Sequence, residues 1–201
     1  MPLEIEVKFL LQDPEQVRMR LVQLGARSRG RHFETNLRFD DKRRTLLQRQ
    51  CLLRLRKDRR FLLTFKERSP ESDAQFKVHR ELEVEVADFD QMQQILAALG
   101  FEPVQRYEKW RETFRRAGTD FCLDTLPFGR FLEIEGEKDD IRQAADLLGL
   151  EWRHRILDNY LRIFERLKEK EGLAFSDLTF ENFKGLKTGL GALAAELEAG
   201  N

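Results

Sequence analysis

The chain has 201 residues, with 36 Lys and Arg against 36 Asp and Glu, so its formal net charge is zero at pH 7. That length supports one domain with a substantial core, and the balanced charge argues against a general nucleic-acid binder, which carries a basic excess. No apolar run approaches the roughly 20 residues of a membrane span, and Cys51 and Cys122 supply neither a disulfide framework nor metal-ligand spacing, so a reducing, cytoplasmic setting is expected.

The N-terminus enters a strand at once, with no signal-peptide pattern. In MPLEIEVKFL, Glu4, Glu6 and Lys8 alternate with Leu3, Ile5, Val7 and Phe9. Successive strand side chains point to opposite faces, so one face is apolar and the other carries two carboxylates and an ammonium. Neighbouring acids repel unless a cation lies between them, and hard divalent cations prefer such oxygen ligands. A lysine one step further suits an anion beside that cation. The plain alternative for one such strand is a solvated face.

Asp13-Pro14 then opens a helix with an N-cap and a first-turn proline, and Val17, Leu21 and Leu24 form its stripe before Gly25. Strands are expected at His32–Asp40, at Cys51–Lys57 and Arg60–Glu67 as a hairpin, and at Val78–Val86. A second helical unit, Asp88–Phe101, ends in Leu99-Gly100-Phe101, as the first ends in Leu24-Gly25-Ala26; the two read as a weakly similar strand–helix repeat. Arg106–Arg115 follows, then a hairpin of Phe121–Thr125 and Arg130–Glu137 across Pro127-Phe128-Gly129. A helix near Asp140–Leu148, another over Tyr160–Lys170 and a helical tail over 173–201 complete the chain, with Gly189–Asn201 placed to fray.

Alternation recurs on nearly every strand. Arg54 and Arg56 oppose Leu53 and Leu55; Glu81, Glu83 and Glu85 oppose Leu82, Val84 and Val86; Glu133 and Glu135 oppose Leu132 and Ile134. Lys109 and Arg111 flank Trp110, and Asp124 shares a face with Cys122. Either an open sheet wets the charged face or a closed barrel turns it inward. The polar positions are almost all Glu, Arg and Lys, with few Ser, Thr, Gln or Asn, which favours a charged tunnel in an α+β fold. Charge enclosed in this way needs partners, and a bound polyanion with its metal supplies them.

These residues resemble the CYTH, or triphosphate tunnel metalloenzyme, superfamily over roughly Pro2 to Leu161. The matching motifs come in order: Glu4-x-Glu6-x-Lys8; Leu53-Arg54-x-Arg56; Leu63-Thr64-x-Lys66; Arg80-Glu81-x-Glu83; Lys109-x-Arg111; Asp124 before Pro127-x-Gly129; and Glu133-x-Glu135-Gly136. The resemblance implies an eight-stranded antiparallel closed β-barrel with helices outside and a helical C-terminal tail, residues 1–165 forming the tunnel domain and 166–201 the extension. It implies metal ligands Glu4, Glu6, Glu133 and Glu135 for Mg²⁺ or Mn²⁺, with Lys8, Glu4, Glu6 and Glu135 as the catalytic set. Lys8, Arg54, Arg56, Lys66, Arg80, Lys109 and Arg111 are the implied substrate-binding residues. Glu81, Glu83, Glu85 and Asp124 stand as ligands for a second metal or as groups behind the first. Family activities include inorganic triphosphatase, thiamine triphosphatase, RNA 5′-triphosphatase and class IV adenylate cyclase.

The expected function is therefore metal-dependent hydrolysis of a triphosphate compound, the partner being a small triphosphate molecule and neither a membrane nor nucleic acid. Cyclisation of ATP to cyclic AMP and pyrophosphate is the alternative, and a non-catalytic polyphosphate-binding module the second. A homodimer is left open. One departure stands out. Many cyclase-like members carry a tyrosine in the second strand, where this chain has Arg38 within Asn36-Leu37-Arg38-Phe39-Asp40.

Overall fold

The computed structural model describes residues 3–70, 73–186, 189–191 and 197. Strand β1 (Leu3–Leu10) leads into α1 (Pro14–Gln23), and β2 (Arg27–Asp40) into the single turn α2 (Thr45–Gln48). The β3 (Leu52–Lys57) and β4 (Phe61–Arg68) hairpin precedes β5 (Lys77–Val86), α3 (Phe89–Ala98) and β6 (Glu102–Arg116). Then come β7 (Thr119–Leu126), β8 (Gly129–Glu135), α4 (Lys138–Leu147) and α5 (Tyr160–Glu171). The strands pair antiparallel in the order β1-β5-β4-β3-β2-β6-β7-β8 and close on themselves. The expected barrel is therefore present, with β2 and β6 longer than the alternation alone predicts.

Helix ends follow local chemistry. The Asp13 carboxylate accepts from the Glu15 and Gln16 amides, and that of Asp88 from Gln91, satisfying donors that have no partner in a first turn. All three Leu-Gly endings close in the same way. Gly25, Gly100 and Gly149 have φ of 79°, 89° and 71°, a left-handed conformation that costs glycine nothing. The next amide then returns to the last turn: Ala26 to Leu21, Phe101 to Leu96 and Leu150 to Ala145.

Apolar residues form three clusters, two on the outer face of the strands and one, around Phe131 and Tyr107, on inward-facing positions at one end of the barrel. Helices α1 and α4 seal the β1, β7 and β8 side, where Val7, Leu132, Ile134 and Ile141 are fully buried. Helix α3 covers Leu55 and Phe39 with Leu96. Helix α5 packs Ile163, Phe164 and Leu167 against Phe128, Phe131 and Tyr107. The cover is incomplete: Leu82 and Val84, on the outer face of β5, are 51% and 57% exposed.

The chain after β8 also helps to build the wall. Residues Glu6 to Leu10 of β1 pair with β8, but β5 reaches only as far as Glu6 on the other side. Ile156 fills the gap, exchanging both backbone hydrogen bonds with Lys8 at 3.1 and 2.7 Å. Leu178 does the same beside β6, between Arg106 and Glu108. The expected helical tail is different here: residues 173–186 carry a β-bridge and turns but no helix. Glycine 172 ends α5 in a left-handed cap, and Phe175, Leu178 and Phe183 then pack back on the α5 cluster. Most of Gly189–Asn201 lies outside the described residues. The boundary expected at residue 165 falls inside α5. No helix among the described residues is long and apolar enough to cross a membrane.

Phe164 is fully buried against the rings of Phe175 and Phe183, with centroids 6.0 Å away in each case. Phe164→Ala should cost about 3–5 kcal/mol, the range for truncating a core aromatic. Urea titration measures this, and an unchanged midpoint would mean that α5 is not part of the core.

Candidate active site

Alternation in a closed barrel sends one face of every strand to the bore. The bore is a cavity of about 1370 Å³ lined by Glu4, Glu6 and Lys8 from β1, Arg54 and Arg56 from β3, and Lys66 from β4. Glu81 and Glu83 from β5, Lys109 and Arg111 from β6, and Glu133 and Glu135 from β8 complete the set expected from sequence.

Three expected residues sit elsewhere. Arg80 has the opposite parity to Glu81, so it points outward and lies 3.9 Å from Glu67. Glu85 has the inward parity but lies beyond the rim, exposed and ion-paired with Arg60 at 3.3 Å. Asp124 is buried behind the lining rather than in it. Its carboxylate accepts from Lys109 Nζ (2.9 Å), Arg111 Nε and Nη2 (2.7 and 2.6 Å) and the Tyr160 hydroxyl (2.9 Å). Three of these bonds converge on Oδ2 and one on Oδ1, so Asp124 anchors two cations from behind the lining.

The remaining acids divide by their neighbours. Glu133 faces Arg111 at 3.1 Å and Lys8 at 3.4 Å; burial works against its ionisation, but Lys8 and Arg111 hold its pKa well below the usual value. Burial likewise opposes ionisation of Glu4, yet Lys66 and Lys77 bring its pKa down to about 2. Lys66 bridges Glu4 at 2.6 Å and Glu81 at 2.7 Å. Glu6 pairs with Lys8 at 2.6 Å and with Lys77. Burial would discharge Lys8, but Glu133 and Glu6 raise its pKa, so it stays an ammonium.

Glu135 is the exception. It makes no ion pair with a cation among the described residues, and burial with Glu133 and Glu4 nearby pushes its pKa well above the carboxylate range. One oxygen each from Glu4, Glu6 and Glu135 lies within 4.8 Å of the others. Glu4 and Glu6 share Lys66, Lys8 and Lys77 with Glu81 and Glu133, so these converging carboxylates, Glu6 buried and the other two half-buried, remain short of positive charge and fit a hard divalent cation. A second trio of that kind, His32, Glu34 and Asp58, is hemmed in by Arg56, Arg111 and Lys109, which disfavours a cation there.

Several lining residues escape the motif reading. His32, Glu34 and Arg38 of β2 and Lys77 and His79 of β5 all face the cavity. Alternation applied to β2, and β5 begun one residue earlier, would have found them. Burial and Lys77 hold the His79 pKa down at about 4, so its ring is neutral at physiological pH. Tyr160 has no strand pattern to betray it. It enters from α5, donates to Asp124, and places its ring 5.3 Å from the ammonium groups of both Lys8 and Lys109.

An eight-stranded closed barrel with a bore lined by facing acids and bases defines a tunnel-barrel class of protein. Within that class, a family model for the CYTH domain matches residues 2–160, and the chain belongs to the CYTH domain family. A Methanocaldococcus jannaschii protein described as a candidate adenylate cyclase is 30% identical over 148 residues, covering 73% of this chain and 83% of its own. The PH1012 protein of Pyrococcus horikoshii superposes with a TM-score of 0.66 at 26% identity, over 78% of this chain and 96% of its own. A candidate adenylate cyclase from Vibrio parahaemolyticus shares the fold, with a TM-score of 0.71 at 22% identity over 81% and 97% of the two chains.

The raised pKa of Glu135 sets a pH dependence. Between its ordinary value of 4.5 and its higher folded value, the folded state holds more protons than the unfolded one. Stability from this group therefore falls as pH rises through that window. Without metal, Glu135→Gln should melt higher than the wild type, by more at about pH 8 than at about pH 5, and should lose most of the stabilisation that added Mg²⁺ or Mn²⁺ gives. Differential scanning fluorimetry tests both; a melting difference independent of pH would refute the linkage.

Proposed function

We propose that the protein is a divalent-metal-dependent triphosphatase that hydrolyses inorganic tripolyphosphate or a related triphosphate in its bore. The observation that carries this reading is the juxtaposition of a carboxylate trio short of positive charge with a wall of cations. Glu4, Glu6 and Glu135 would hold the metal, which when bound neutralises phosphate oxygens and makes the phosphorus easier to attack. Arg54, Arg56, Lys66, Lys109 and Arg111 hold phosphoryl oxygens, the arginines offering two donors each. Lys8, kept charged by its acids, neutralises charge beside the trio, and Asp124 keeps Lys109 and Arg111 aimed. Hydrolysis then breaks a phosphoanhydride bond as water adds to phosphorus, a reaction that depends chiefly on positioning and charge neutralisation.

The M. jannaschii relative favours a second reading, cyclisation of ATP to cyclic AMP and pyrophosphate. That reaction needs a seat for the nucleoside, and four leucines, Leu47, Leu52, Leu157 and Leu161, line part of the cavity.

Phosphate release from tripolyphosphate, ATP and thiamine triphosphate, with cyclic AMP measured alongside, separates the two. Release from tripolyphosphate with added Mg²⁺ or Mn²⁺ is expected; stoichiometric cyclic AMP and pyrophosphate from ATP, with no release from tripolyphosphate, would select the cyclase. Glu4→Gln and Glu6→Gln should each abolish the metal-dependent activity in a folded protein. Arg56→Ala and Lys66→Ala should each weaken triphosphate binding by about 1.5–3 kcal/mol, the range for hydrogen bonds to charged groups. Calorimetry should find similar losses for tripolyphosphate and ATP, which share the phosphate chain.

A further inference from the structure

Cations deep in the bore have carboxylates within reach. Lys8 faces Glu6, Lys66 faces Glu4, Lys109 and Arg111 face Asp124, and Arg56 Nε lies 3.1 Å from Asp58. Arg54 stands 3.7 Å from Glu83 and is held as well by Thr64 and the Tyr107 hydroxyl. Arg38 differs. It lines the same cavity and is partly buried, yet its side chain makes no hydrogen bond or ion pair among the described residues. Arg29 also lacks such a partner but is exposed at the rim.

The neighbours of Arg38 explain why it is left over. On one side it lies in register with Arg54 and on the other with Gln105. Like charges directly across a strand pair repel, and the Gln105 amide is turned away to the Ser176 carbonyl at 2.9 Å. The nearby Asp40 carboxylate is engaged by the Asp41, Leu46 and Leu47 amides at 2.8–3.0 Å. Burial disfavours the charge on Arg38, and the attraction of Asp40 and Glu165, opposed by Arg44, does not make up for it, but a guanidinium does not discharge in a protein. The result is a fixed cation facing the bore with no hydrogen bond or ion pair of its own among the described residues.

Its position along the bore matters. Strands β2, β6, β7 and β8 are each antiparallel to the next, so β2 and β8 run in opposite directions. Arg38 is near the C-terminal end of β2 and Glu135 at the C-terminal end of β8; they therefore lie toward opposite mouths. A phosphate chain with one end at the Glu4–Glu6–Glu135 trio would direct its other end toward Arg38.

We propose that Arg38 is a specificity residue that takes the free terminal phosphate of an inorganic phosphate chain at the mouth away from the carboxylate trio. In a nucleoside triphosphate the corresponding phosphate is esterified, carries less charge and has a sugar where Arg38 would meet oxygen. The preferred substrate class is then inorganic tripolyphosphate over nucleotides. This assignment rests on the bore being a triphosphate site.

The test is calorimetric binding of tripolyphosphate and of ATP, in EDTA so that metal-dependent turnover is absent, to the wild type, Arg38→Gln and Arg38→Lys. Arg38→Gln should weaken tripolyphosphate binding about tenfold or more, the effect of losing a charged hydrogen bond, and change ATP binding less than about threefold. Arg38→Lys should restore most of the tripolyphosphate affinity. Because Arg38 has no partner to lose, neither variant should melt below the wild type. An equal loss for both ligands, a loss confined to ATP, or no loss at all overturns the assignment while leaving the triphosphate site intact. A wild type that binds neither ligand in EDTA overturns the assignment too, and one that also releases no phosphate from tripolyphosphate with Mg²⁺ or Mn²⁺ overturns the triphosphate reading itself.

Discussion

Everything in this molecule depends on the compensation of charge inside a closed barrel. Closure removes the freedom of an open sheet to leave its polar face in water, so each inward Glu, Lys or Arg must find a partner in the bore. Most do, in two runs of ion pairs, one joining Glu4 and Glu81 through Lys66 and the other running from Lys77 through Glu6, Lys8, Glu133 and Arg111 to Asp124. The two places where compensation fails, at Glu135 and at Arg38, have opposite sign and lie toward opposite mouths. A ligand positive at one end and strongly negative along the rest is what such a lining complements.

The same compensation explains the division of labour among the acids. Glu133 and Glu135 are two residues apart on one strand and both point inward, yet the first is held ionised by Lys8 and Arg111 while the second is pushed toward its neutral form. Asp124, more deeply buried than Glu135, is tied to Lys109, Arg111 and Tyr160. Chemical type and parity alone treat these three residues alike. Their cross-barrel neighbours separate them.

That is also where reading the chain as sequence runs out. Period-two alternation is local, so strands, their inward faces and the three Leu-Gly helix ends are legible directly. The barrel follows because too many strands are charged on one face and apolar on the other. Arg80 is misread, whereas Asp124 takes one of its two expected places, behind the lining residues. Arg80 sits beside a motif glutamate but has the wrong parity. Asp124 has the right parity, and only its distant donors show which of the two places it takes. Tyr160 and Ile156 contribute from outside any strand, joined to the bore by packing between residues some 150 positions apart, for which no local pattern exists. The expected helical tail misjudges a segment whose Phe175, Leu178 and Phe183 resemble a helical stripe but instead fold back over α5.

The short seam beside β1 bears on how the chain is made. Strand β1 is synthesised before the other strands, yet its pairing partners are β5, β8 and Ile156, so it is completed only when almost the whole barrel has emerged. Such distant pairing makes for slow folding, during which an unpaired strand is exposed to other chains. Glu4, Glu6 and Lys8, interleaved with four apolar residues, make that waiting strand a poor template for edge-to-edge association. The charges at the centre of the site would thus protect the nascent chain before they have a ligand to bind.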